Sequence, residues 1–99
     1  MVEIKVFLDE SDMYEDKQMY EYIMRYLMHH NIMGATLIKG LAGYGKKHHL
    51  HFPLKIGNAD EVPLIILFAD EEEKVNVVLP HIKELINEGL IMKTKIEMV

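Results

Sequence analysis

The chain has 99 residues, 49% of them hydrophobic and 27% charged, with a formal charge of −5 and no cysteine. That suffices for one unit spanning 1–99, which buries roughly 65% of the surface its unfolded chain exposes, and it excludes a disordered chain. Disulfides, thiol catalysis and cysteine-ligated zinc are excluded, and the acidic balance argues against nucleic acid as a partner.

In chain order, Val2 to Leu8 alternates, with Val2, Ile4, Val6 and Leu8 on one side, and predicts a strand. Asp9 to Asp16 is an acidic connection. Lys17 to Asn31 predicts a helix whose stripe is Met19, Ile23, Tyr26, Leu27 and His30; Asp12 and Asp16 are both suited to cap its start. Gly34 is placed to break it. Ala35 to Leu41 predicts a second strand. A glycine-rich basic stretch follows, and then His48 to Ile56, which has strand character interrupted by Pro53.

Val62 to Ala69 predicts a third strand, apolar throughout. Its apolar run is far too short to cross a bilayer, and the N-terminus lacks a secretory pattern, so the expected compartment is the cytoplasm. Asp70 to Glu88 predicts a second helix, with Asp70 and Glu73 in a capping-box pattern, a kink at Pro80, and Gly89 in the left-handed position after its end. Leu90 to Met98 alternates again, with Leu90, Met92, Thr94, Ile96 and Met98 expected inward and Ile91, Lys93, Lys95 and Glu97 on the other face.

Strand, helix, strand, long loop, strand, helix, strand is the order of an α+β ferredoxin-like βαββαβ sandwich. Two helices then cover one face of a four-stranded antiparallel sheet. Leu64 to Ala69 does not alternate, so part of it must stand on the face without helices, joined there by Phe7 and Ile91. Such an apolar patch calls for cover, by another subunit or by the long loop folded back.

Charge is unevenly placed. Tyr22 to Ala59 contains no Asp or Glu and is +5, while the remainder is −10. Within this basic middle, Ala42 to Glu61 is longer than two strands need, and connections of that length are usually functional or disordered. Gly43-Tyr44-Gly45-Lys46-Lys47 suits a phosphate, because glycines let backbone N–H groups converge on an anion and lysines supply charge. It lacks the Walker spacing, and a solvated hairpin tip is the plain alternative.

The element order, Gly34-Ala35-Thr36 opening the second strand, the Gly-x-x-Gly-aromatic-Gly run from Gly40 to Gly45, the acidic turn ending in Tyr14 and the Glu88-Gly89 step resemble the PII signalling proteins. The match is closer to their small PII-like relatives of unknown function, domain-of-unknown-function family 190. The resemblance implies a homotrimer with its sheets facing inward and an adenine nucleotide in clefts between subunits. Ala35 and Thr36 would lie near the base. Gly43, Tyr44, Gly45, Lys46 and Lys47 would lie near the phosphates, and Gly89 would come from the neighbouring subunit. The loop would contact a protein target, with a membrane transporter or channel as one class. PII proteins carry a lysine after the glycine matching Gly89, whereas this chain has Leu90, with Lys93 and Lys95 the cations further on. Fewer cations favour AMP or ADP over ATP.

Two other classes compete. His49 and His51 share a strand face, and imidazoles suit copper, nickel or zinc, as in the divalent-cation-tolerance proteins; neighbouring lysines oppose a cation there. An enzyme is not expected. Ser11 is the single serine and no catalytic constellation is evident.

Overall fold

The computed structural model describes residues 1–44 and 62–99. Its elements are β1 (Val2–Asp9), β2 (Met13–Tyr14), β3 (Lys17–Gln18), α1 (Met19–His29), β4 (Ala35–Lys39), β5 (Pro63–Asp70), α2 (Glu72–Leu85) and β6 (Leu90–Lys95). The main sheet runs β4-β5-β1-β6, every neighbouring pair antiparallel, and β2 and β3 form a separate small hairpin. The ferredoxin-like sandwich predicted from sequence is the fold.

The core lies between the sheet and the two helices. Val2, Ile4, Val6 and Leu8 of β1 and Leu64, Ile66 and Phe68 of β5 are buried against Met19, Ile23 and Leu27 of α1 and Val75, Val78 and Ile82 of α2. The alternation hidden in the uniformly apolar β5 thus appears in its burial, with Ile65 and Leu67 on the opposite face.

The last strand faces the other way from the prediction. Val6 pairs with Ile91 and Ile4 with Lys93, so Ile91 packs on the core. Lys93 reaches over α2, its Nζ 2.7 Å from Glu72 Oε2, and this contact holds the Glu72 carboxyl below its ordinary range. Phe7 pairs with Leu90 and Lys5 with Met92, leaving Leu90 (55% exposed) and Met92 on the helix-free face. Directly paired residues share a face. One row therefore crosses the whole sheet as Ile38, Ile65, Phe7 and Leu90, and beside it runs Thr36, Leu67, Lys5 and Met92. The apolar patch exists, with Leu90 and Met92 in place of Ile91.

Both helices are shorter than predicted. Lys17 and Gln18 belong to the hairpin, and neither Asp12 nor Asp16 caps α1 with its side chain. Asp12 takes the Met19 N–H on its backbone carbonyl at 2.8 Å, while its carboxylate accepts the Asp9 N–H at 3.0 Å. At the other end Asn31, φ 59°, takes the left-handed backbone and ends α1 three residues before Gly34, where the sequence predicts the break. Asn31 N–H bonds Met28 O and Ile32 N–H bonds Leu27 O, both at 3.1 Å, the two bonds of a Schellman cap, and buried Ile32 closes it. His30 sits outside the stripe, exposed, its ring 4.2 Å from Tyr26.

Asp70 is not a cap either. It ends β5, only 2% exposed, and Glu71 occupies the N-cap position without a side-chain bond. Its carboxylate accepts Met33 N–H at 2.9 Å and Glu71 N–H at 2.7 Å, and pairs with Lys74 Nζ at 3.0 Å. Burial alone would raise its pKa. The hydrogen bonds from Lys74, Glu71 and Met33 outweigh that and hold it below the ordinary carboxylate value. Lys74 also donates to the Asn31 carbonyl, so one cation ties α2 to both the end of α1 and the end of β5. α2 continues through Pro80 to Leu85.

Candidate functional site

The glycine run begins where β4 meets β5. Gly40 N–H bonds Pro63 O at 2.8 Å, and a side chain at Gly40 would place its Cβ 2.9 Å from the Pro63 ring. A Cβ added at Gly43 would reach the same ring at ordinary van der Waals distance. Gly40 and Gly43 therefore both lie beside Pro63, and Tyr44, next along the chain, is 68% exposed. Gly45, Lys46, Lys47, His49 and His51 lie outside the described residues, so the second half of the predicted phosphate cradle and the histidine pair do too. Among the described residues no cluster of three His, Asp or Glu is arranged to hold a metal.

Val62, Pro63, Gly40 and the acidic turn after β1 form a collar at this sheet end. Glu10 N–H bonds Val62 O at 2.8 Å and Val62 N–H bonds Asp9 Oδ1 at 3.3 Å. Asp9 Oδ1 also accepts the Ser11 N–H at 3.0 Å and the Ser11 hydroxyl at 2.9 Å. Glu10 pairs with Lys39 at 3.4 Å. Sequence reasoning missed this collar, because an Asp-rich turn reads as solvated surface; the available signal was the Asp-x-Ser spacing, which suits a side-chain turn.

The other predicted residues are spread out. Ala35 and Thr36 begin β4, four or five residues before Gly40, so about 13–17 Å away along the strand. Their side chains point to opposite faces: Ala35 pairs with Phe68 and packs on the core, whereas Thr36 pairs with Leu67 on the helix-free face. Gly89 precedes β6 on the far edge, three strand spacings from Gly40, about 14 Å. It does not take the left-handed backbone predicted for it. A Cβ there would lie 2.1 Å from the Phe7 carbonyl oxygen and 2.6 Å from Ile86 Cγ2. Gly89 is glycine because two backbones meet. Within one chain these residues occupy both edges of the sheet and do not converge.

The basic middle is partly neutralised. Of its two described cations, Lys39 pairs with Glu10, and Arg25 pairs with Glu21 at 3.1 Å. Lys93 is engaged on the helix face, paired with Glu72.

A second polar group lies on the helix side. Tyr22 Oη is 2.8 Å from His81 Nε2, joining α1 to α2, and the Tyr14 ring of the hairpin lies 4.4 Å from that of Tyr22, tilted by 38°. The Tyr22 phenol, followed by loss of water, pushes the Tyr14 hydroxyl above its ordinary value. Tyr22 and Tyr26 are packing residues, as their spacing predicts, with His81 the partner not foreseen.

This α+β sandwich is similar in fold to solved PII-like structures. The nitrogen regulatory PII-like protein CPII from Thiomonas intermedia K12, solved with ADP, AMP and bicarbonate, superposes with a TM-score of 0.70 at 17% identity, covering 99% of this chain and 91% of that one. A second CPII structure, with ADP, AMP and acetate, gives 0.64 at 18% identity over 93% and 81%. The DUF190 family model, described as "Uncharacterized ACR, COG1993", matches residues 1–98, and the chain belongs to that family. A UPF0166 protein of Methanocaldococcus jannaschii, MJ1524, is 40% identical over 92 residues, 92% of this chain and 84% of the relative. A UPF0166 protein of Aquifex aeolicus is 31% identical over 97% of this chain and 90% of its own length.

Proposed function

We propose that this protein is a PII-like regulator, a binding protein rather than an enzyme, that acts in the cytoplasm as a homotrimer. It takes AMP or ADP in clefts between subunits and passes ligand state to a protein target such as a transporter or channel. The observation that carries this reading is the placement of the candidate residues on opposite edges of one sheet whose helix-free face is crossed by an apolar row. Residues that cannot meet within a chain can meet between chains, and the row supplies the surface that brings chains together. The adenine nucleotides held by CPII support the choice of ligand.

Ala35 and Thr36 belong to an edge strand whose outer backbone groups are suited to a base. Gly43 and Tyr44, with Gly45, Lys46 and Lys47, are assigned to the phosphates, and Gly89 to the neighbour's side of the cleft. Leu90 stands in the apolar row, which fits a ligand with few phosphates.

Thermal melts and titration calorimetry test the ligand. ADP or AMP at a hundred times its Kd should stabilise the folded protein by about 2.7 kcal/mol. No shift at millimolar nucleotide, with the protein folded and trimeric by native mass spectrometry, would remove the nucleotide. The assembly has its own test. Phe7→Glu puts a charge in the middle of the row, where Phe7 faces Ile65 and Leu90. Sedimentation should then show a monomer that keeps its far-ultraviolet dichroism; a Phe7→Glu trimer would show that another surface holds the subunits.

A further inference from the structure

We propose that Asp9 is the positioning residue for the Gly40–Tyr44 backbone. It would do this by holding the far stem of the connection and, through it, the near one. The contacts form one continuous chain. Asp9 Oδ1 is fixed by the Ser11 N–H and hydroxyl, and it accepts the Val62 N–H. Val62 is bonded a second time through its carbonyl to Glu10 N–H. Val62 leads directly into Pro63, whose carbonyl accepts the Gly40 N–H and whose ring stands beside Gly40, leaving no room for a side chain there, and next to Gly43. Lys39 and Glu10 tie the two sides together from without.

A backbone N–H cradle holds an anion only if its donors are aimed before the ligand arrives. The Gly40 N–H is already given to Pro63 O, so the cradle's donors begin at Gly43, and neither glycine holds its own direction, because glycine is the most permissive residue in the chain. Their direction comes from Pro63, and the direction of Pro63 comes from the Asp9 carboxylate. The turn also reaches the other way. Asp12 bonds Asp9 N–H with its carboxylate and Met19 N–H with its carbonyl, so the same residues set the start of α1.

The ligand half of this inference rests on the nucleotide reading above; the backbone half does not. The experiment measures amide hydrogen exchange by NMR and ADP affinity by calorimetry for the wild type, Asp9→Ala and Asp9→Asn. Asp9→Ala should speed exchange at Val62 and also at Gly40 by about tenfold, the loss of one hydrogen bond to a charged acceptor. Core amides such as Ile4 and Ile66 should be unchanged. ADP binding should weaken by about tenfold as well. Asp9→Asn keeps a side-chain carbonyl acceptor and should restore most of both. Acceleration at Val62 without Gly40, or equal acceleration of the core amides, overturns the proposal. So does unchanged ADP affinity in a protein that binds ADP. If the wild type binds no nucleotide the nucleotide reading falls, and the exchange pattern alone decides whether Asp9 positions the glycines.

Discussion

Gly89→Ala is expected to destabilise the protein by about 3 kcal/mol, roughly 15 °C in melting temperature at fixed protomer concentration. The added Cβ would stand 2.1 Å from the Phe7 carbonyl oxygen and 2.6 Å from Ile86 Cγ2. The first obstacle is backbone, which cannot turn aside as a flexible side chain does. Relief requires β6 to move off β1, and that opens the pairing from Phe7↔Leu90 onward. Gly34→Ala is the internal control. Nothing lies within 4 Å of a Cβ there and its backbone is not left-handed, so alanine should be neutral or stabilising by a few tenths of a kcal/mol. Urea unfolding of both variants checks the pair. Equal small effects would show that the β1–β6 junction yields easily.

Asp70→Ala should cost about 3 kcal/mol, because it leaves the part-buried Met33 and Glu71 N–H groups without their acceptor and Lys74 without its carboxylate. The pH dependence follows from the sign of the shift. The folded-state pKa of Asp70 lies below its unfolded value, so its contribution is fully present above the unfolded value near pH 4 and is lost as pH falls through the folded one. Urea unfolding of wild type and Asp70→Asn should therefore show a gap at pH 7 that narrows steadily below about pH 4. A gap that stays constant to pH 2 would mean that the carboxylate charge contributes nothing beyond its shape.

The sequence made the architecture legible because periodicity is a local property. The strand at Val2–Asp9, the stripe of Met19, Ile23 and Leu27, and that of Val75, Val78 and Ile82 all follow from spacing, and all are buried together. Alternation sorts residues into two sets but does not say which set faces the core. Leu90 and Met92 are as apolar as Ile91, so alternation alone turns β6 the wrong way round. The choice falls to the register with β1, which sets Ile91 opposite Val6. Asp70 followed by Glu73 matches a helix start, but the strand runs through Asp70 and delivers it to Met33, 37 residues away in sequence. No local pattern encodes that meeting. The candidate site was legible to the same degree: the glycine run and the acid-free middle mark it, while the Asp9 collar that orders its first residues is a contact across 53 positions.

Composition, periodicity and turn residues, taken alone, determined an α+β sandwich with a glycine-led, basic connection between its second and third main strands. Those signals survive without a partner because they depend on spacing along the chain. Only the tertiary structure decided that Gly89 serves a close approach of two backbones, that Asp70 is a buried acceptor, and that Leu90 joins Phe7, Ile65 and Ile38 in one row. Each of these is fixed by a neighbour distant in sequence, and strand register alone determines which neighbour that is.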